Sequence, residues 1–503
     1  MIQLDGASLT LEQLGAVALA GDPCALAPAA RERVAAGRAA IERAVARGEA
    51  IYGVNTGFGD LARVRIPDDH LALLQERLLL SHAAGMGEPL GDAAVRGMLL
   101  LRANTLACGH SGVRPEVIEA LLTLLNEEVL PVVPSRGSVG ARGALAPLAH
   151  LALPLIGKGR VRARGVELPG AEGLARAGLA PLVLQAKEGL ALINGTQAMT
   201  SLLALAALEA RRLVRLADLV GAAATDALRG ADTAFDPRIH ALRPHPGQLA
   251  SAANLFRLLQ GSAIRESHRL GDLRVQDPYS LRCMPQVHGA VRDLLADVER
   301  KLAIEMNAVT DNPLVFPEEG EVLSGGNFHG EPMALAADIL AIALTELASI
   351  SERRTDKLTN TAFSGLPPFL VRDAGLNSGF MIAQVTAAAL VAENKVLCHP
   401  ASVDSIPTSA EKEDHVSMGM GAALKLQTVV ENVRRVLAIE LLAAAQGIDL
   451  LRPLVSSPPL ERLHAAVRAR VPMWSEDREM APDLAAAVEL LRGGLDAHFE
   501  GLE

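Results

Sequence analysis

Apolar positions along this chain recur mainly at helical spacing. Alanine and leucine fill most of them, β-branched alternation is scarce, and the pattern predicts helices over residues 31–49, 115–129, 200–221, 246–261, 286–307, 331–354, 378–396 and 416–446. The expected fold class is all-α. Several of these segments exceed 20 residues, and 418–451 is apolar on most faces, as in a helix covered all round by neighbours or by other subunits. Glycine and proline gather between the helices, at 52–59, 131–143, 157–173, 324–330, 365–368 and 400–407, together with polar residues. Loops of that composition are where chemistry usually sits.

With 503 residues, half of them apolar and 21% charged, the chain can bury a large core, and a disordered protein is excluded. Length alone suggests about three domains, yet no repeat, low-complexity linker or charge block separates autonomous ones. The expected organisation is a single unit over 1–503, with an N-terminal part over 1–200, a central helical bundle over 200–450 and a C-terminal helical piece over 451–503. Forty-eight Lys and Arg against 58 Asp and Glu give a net charge of −10 and a pI near 5.8. That field repels phosphate backbones and anionic membrane surfaces, so neither nucleic acid nor membrane is an expected partner. The apolar run 332–347 is broken by Asp338 and Glu346, and 200–220 by Glu209, Arg211, Arg212, Arg215 and Asp218, which reads as buried helices rather than membrane spans. Cys24, Cys108, Cys283 and Cys398 stand far apart, and Asp5 and Glu12 fall where an export signal would be basic and then apolar. A cytoplasmic location is expected.

Only two tyrosines occur, Tyr52 and Tyr279, and both lie in polar loop text containing Gly or Pro. Each is either a satisfied loop residue or a catalytic phenol; with a reference pKa of about 10, a phenol serves as acid or base only where cations or dipoles lower it. The segment Gly137-Ser-Val-Gly-Ala-Arg-Gly-Ala-Leu-Ala-Pro-Leu-Ala-His150 places three glycines at intervals of three before a helix. Its spacing matches neither a dinucleotide fingerprint nor a phosphate loop. It does deliver flexible backbone to the positive end of a helix, which stabilises negative charge developing nearby. No metal site emerges from spacing: His240 and His245 are five apart in a loop, and Phe328-His-Gly-Glu331 lacks the helical His-Glu-x-x-His pattern.

That loop, together with Tyr52-Gly-Val-Asn-Thr-Gly-Phe-Gly59, Leu80-Ser-His-Ala-Ala-Gly85, Lys187-Glu-Gly-Leu-Ala-Leu-Ile-Asn-Gly-Thr-Gln197, Val275-Gln-Asp-Pro-Tyr-Ser-Leu-Arg-Cys283, Asp311-Asn-Pro-Leu314, Ser324-Gly-Gly-Asn-Phe-His329 and Ser402-Val-Asp-Ser-Ile-Pro-Thr-Ser409 followed by Glu413-Asp-His415, resembles the histidine ammonia-lyases. The resemblance runs from about residue 50 to 420. It implies an ammonia-lyase/fumarase-like long-helix bundle with an N-terminal loop-and-helix active-site region, a homotetramer, and L-histidine as substrate, split into trans-urocanate and ammonia. A related alternative is an aromatic amino acid lyase or aminomutase.

The same resemblance implies no external cofactor, because in the family an Ala-Ser-Gly triplet cyclises into a methylidene-imidazolone that serves as electrophile. Here the triplet is Ala141-Arg142-Gly143, followed by Ala144 where the family usually has Asp. Arginine has no β-leaving group, so the exocyclic methylene is not expected, and little lyase activity is expected with it. The alternative is a catalytically silent homologue that binds an amino acid or serves as an oligomer partner. Carried over by resemblance, Tyr52 would remove the β-proton, and Tyr279 would sit beside the electrophile. Arg282 would hold the carboxylate by two-point contact. Asn194 and Gln276 would complete the polar cradle, Phe328 would wall the pocket, and His82 and Glu413 would address the imidazole. Met381, like His82, would favour histidine over phenylalanine or tyrosine.

Overall fold

The computed structural model describes residues 1–48, 50–57, 63–272 and 274–503. Residue 49, predicted to end a helix, and residues 58 and 59 of the first tyrosine loop lie outside them. All eight predicted helices are present, as Pro28–Ala46, Pro115–Asn126, Gln197–Ala227, Pro246–Leu259, Met284–Glu305, Glu331–Thr359, Met381–Leu397 and Gly419–Leu450. Proline opens three of them, at 28, 115 and 246, where its missing N–H would have had no intrahelical partner. Strands are short and form four small sheets among the described residues. The fold is all-α.

Two helices of the N-terminal region carry no readable period. In Asp92–Ala107 every position from Gly97 to Ala107 is buried, Arg102, Asn104 and Thr105 included; a helix without a polar face shows no 3.6-residue alternation. Leu71–His82 is the other. Parts of two segments read as loops are strands instead. Pro134–Arg136 pairs antiparallel with Met86–Pro89, and Arg160–Ala163 pairs antiparallel with both Val166–Pro169 and Val129–Pro131. Strands of three or four residues are too short for alternation to register.

The chain divides into two compact units, one of 1–208, 298–338 and 400–424, the other of 209–297, 339–399 and 425–503. Each division falls near or within a long helix. In the first unit, helix Leu71–His82 packs on Leu145–Ala152 and on Glu188–Ile193, which pack on each other. Leu78, Leu79, Leu148, Leu151, Leu190 and Ile193 are buried there, each stabilising the fold by about 2 kcal/mol. This packing brings the C-terminal residue of the first helix, His82, beside the loop that leads into Leu145. Below it, Lys187 and Asp311 form a fully buried ion pair at 2.7 Å.

In the second unit the core holds two polar knots. Arg354 meets Glu440 by two guanidinium nitrogens, and Ser351 donates to the same carboxylate. Asp218 accepts from Ser251, Asn254, His288 and Arg292; burial opposes its ionisation, but Arg292 and His288 outweigh burial and lower its pKa to about 2. Helix Glu331–Thr359 has the length and hydropathy of a membrane span, yet 67% of its apolar window is buried inside the fold, as in a core helix.

Candidate active site

The glycine-rich loop is fastened on two sides. Gly195 N–H donates to the Arg142 carbonyl at 3.1 Å, and Met418 N–H donates to the Val139 carbonyl at 2.8 Å. Glycine is required at two points of closest approach, both with left-handed backbone. A Cβ at Gly143 (φ +85°) would stand 2.1 Å from the Gly195 carbonyl oxygen, and one at Gly140 (φ +85°) 2.2 Å from Ser417 Oγ. Arg142, between them, is itself held at φ +48°, a conformation that costs a non-glycine residue roughly 1–2 kcal/mol.

Arg142 has little access to solvent. Its Nε lies 2.8 Å from Glu413 Oε1, with the two side chains only 13% and 11% exposed. Its Cζ stands 5.4 Å from the centroid of the Tyr52 ring. Glu413 is fixed from behind: its Oε2 accepts from Thr408 Oγ1 and Ser409 Oγ, both at 2.8 Å, and its backbone pairs with Thr408. His82 Nδ1 donates to the Leu78 carbonyl at 2.9 Å, leaving Nε2 as an acceptor. Burial pushes the His82 pKa below its ordinary value despite that bond, Arg142 lowers it further and Glu413 opposes the shift.

Two cavities meet at the Arg142–Glu413 pair, which lines both. One, of about 750 Å³, is walled by His82, Ser81, Leu74, Leu78, Leu145 and Val64. The other, of about 590 Å³, is walled by Tyr52, Ala141, Asn194, Phe328, His329 and His415. Asn194 is buried, and its amide N–H groups donate to Asp311 Oδ1 at 3.2 Å and the Asn312 carbonyl at 2.9 Å, while its Oδ1 has no partner within the protein. Asn194 can therefore receive a donor such as an ammonium; it cannot hold a carboxylate. The Lys187–Asp311 pair beneath it fixes this orientation, and neither partner is signalled by sequence except through the motifs Lys187…Asn194 and Asp311-Asn-Pro.

The first unit thus brings together Tyr52, His82, Ala141, Arg142, Gly143, Asn194, Phe328 and Glu413. Gln276, Tyr279, Arg282 and Met381 belong to the second unit. There Gln276 is exposed and Tyr279 is 69% exposed. Arg282 donates from Nε to the Asp277 carbonyl at 2.9 Å, with its Cζ 4.6 Å from the Tyr279 ring centroid. Met381 is half-buried as the first residue of its helix.

The aromatic amino acid lyase profile matches residues 9–469. The chain belongs to the aromatic amino acid lyase family. It is 59% identical to a histidine ammonia-lyase of Anaeromyxobacter sp. (strain K), over 98% of this chain and 99% of that one. Among solved structures it resembles histidine ammonia-lyase from Trypanosoma cruzi, with a TM-score of 0.92 and 46% identity over 100% of this chain and 94% of that one. It also resembles tyrosine aminomutase from Streptomyces globisporus, with a TM-score of 0.92 and 39% identity over 100% and 98% of the two chains.

Lyases of this family make their electrophile from their own backbone and use no external cofactor. The residues at that place here do not fit it. The serine hydroxyl whose loss creates the exocyclic methylene is replaced by the Arg142 side chain, which has no group at its β-carbon to expel. That side chain is also committed to Glu413. The residue after the triplet, Ala144, is fully buried and offers helix Leu145–Ala152 no side-chain cap.

Proposed function

We propose that this chain carries a histidine ammonia-lyase pocket, for the non-oxidative elimination of ammonia from L-histidine to leave trans-urocanate, in a form lacking its electron acceptor. The reading of substrate is supported by the relatives, named histidine ammonia-lyase at 54–59% identity over nearly the whole chain, and by an imidazole and a carboxylate, His82 and Glu413, on one cavity wall. The reading of its state rests on one observation, that position 142 carries arginine, whose β-carbon has no group to expel, and that its side chain lies 2.8 Å from Glu413.

The consequences for chemistry are two. The β-proton of histidine is weakly acidic, and Tyr52 and Arg282 can orient the substrate but cannot delocalise the electron pair left behind. The guanidinium also occupies the carboxylate that would receive the ring N–H, so a bound histidine must compete with Arg142. Gln276, Tyr279, Arg282 and Met381 complete the pocket from neighbouring copies in a homotetramer, and the assembly is cytoplasmic, in keeping with four free cysteines. The ion pair also favours a second reading, a silent homologue that binds an amino acid or serves as an oligomer partner. An aminomutase would suffer the same missing acceptor.

The test is the reversion of both departures. The purified chain should give urocanate absorbance at background rate, and Arg142→Ser with Ala144→Asp should raise the rate by orders of magnitude. An inert revertant overturns the assignment of substrate and pocket. In the unaltered chain, histidine binding seen by calorimetry without urocanate would favour the silent homologue.

A further inference from the structure

Among the described residues one cluster gathers metal-ligating side chains that the reading above leaves without a role. His329 and Glu331 stand where the chain enters helix Glu331–Thr359, and His415 comes from the segment leading to helix Gly419–Leu450. One ligand atom of each lies within 4.8 Å of the other two. The two imidazoles stack with centroids 5.9 Å apart and planes 6° from parallel. Both line the 590 Å³ cavity. Glu331 Oε2 is buried and meets no donor of the protein, a costly condition for a carboxylate oxygen, which a bound cation relieves.

We propose that His329, Glu331 and His415 bind one divalent transition-metal ion of the zinc type. Two imidazole nitrogens and one carboxylate oxygen are the donor set of three-ligand zinc and cobalt sites, whereas magnesium and calcium take oxygen donors alone. Bonds of about 2.0–2.2 Å put tetrahedral ligand atoms roughly 3.4 Å apart, so the cluster must tighten around the ion. It has the freedom to do so. His415 is exposed, and His329 is held only by long contacts, Nε2 to the His415 carbonyl at 3.2 Å and Nδ1 from the Glu331 N–H at 3.3 Å. Metal binding exchanges one of these for a coordinate bond. Glu413 and Asp414 on the same cavity wall offset Lys412 and Arg142, so the cation does not enter a purely positive site. Three protein ligands leave a coordination position for water or a small anion. Spacing along the chain hides this cluster, because its third ligand lies far beyond the His-x-Glu pair.

The experiment is a Co²⁺ titration of full-length, chelator-stripped protein, followed by visible absorption and calorimetry. The expected result is saturation at one Co²⁺ per chain with the intense bands of a four- or five-coordinate ion, displaced by Zn²⁺. His415→Ala should weaken binding more than tenfold, as should Glu331→Gln, with melting temperature recorded alongside. Absence of saturable binding to the unaltered protein overturns the proposal without recourse to any variant. So does a bound Co²⁺ with only the faint absorption of a six-coordinate aquo ion, or one whose affinity is unchanged in His415→Ala.

Discussion

Arg142 and Glu413 are an ion pair with little access to water, and pairs of that kind reveal themselves when one partner is removed. Glu413→Ala strands a nearly buried guanidinium and should cost about 2–4 kcal/mol, while Arg142→Ala with Glu413→Ala should recover much of that loss. Urea denaturation of the two single variants and the double variant checks the cycle; strictly additive costs would mean the pair carries no coupling. Neighbouring residues were legible to different degrees. Tyr52 and Glu413 could be picked out from sequence because each sits in a long motif. The contact between Glu413 and Arg142 could not, because it joins side chains 271 positions apart. The same holds for Lys187 and Asp311, whose buried pair decides which way the Asn194 amide faces.

Elements, rather than single side chains, fix where the loop over 137–144 stands. Its closest passage is at Gly143, where left-handed backbone and a Gly195 oxygen 2.1 Å from any Cβ act together. Gly143→Ala should therefore destabilise the protein by at least about 3 kcal/mol, read as a fall in the thermal midpoint; a change below about 0.5 kcal/mol would contradict the packing described. The long helices were visible from their length and the recurrence of apolar positions, Gly419–Leu450 included although it is covered on most faces. Asp92–Ala107 was not, because all its faces are covered, and Pro134–Arg136 was hidden by its brevity. Loop text dense in glycine pointed to the right region but could not say which backbone it would press against.

For the molecule as a whole, buried carboxylates set the response to pH. Burial raises Asp226 from 3.8 to about 6, against hydrogen bonds from Ser456 and Ser262. Its folded state thus holds a proton more tightly than its unfolded state, so stability falls as pH rises from about 4 to about 6 and is level above that. Asp218, lowered to about 2, works in the opposite sense, losing its contribution as pH falls below about 4. Asp226→Asn should flatten the decline between those limits and stabilise the protein at neutral pH by up to about 3 kcal/mol; unchanged melting curves across that range would contradict it. That position 142 cannot yield an electron acceptor is checked by the intact mass of the purified chain. The mass of the unmodified sequence is expected; a deficit of one water together with the Arg142 side chain beyond its β-carbon would show that a methylidene ring forms after all.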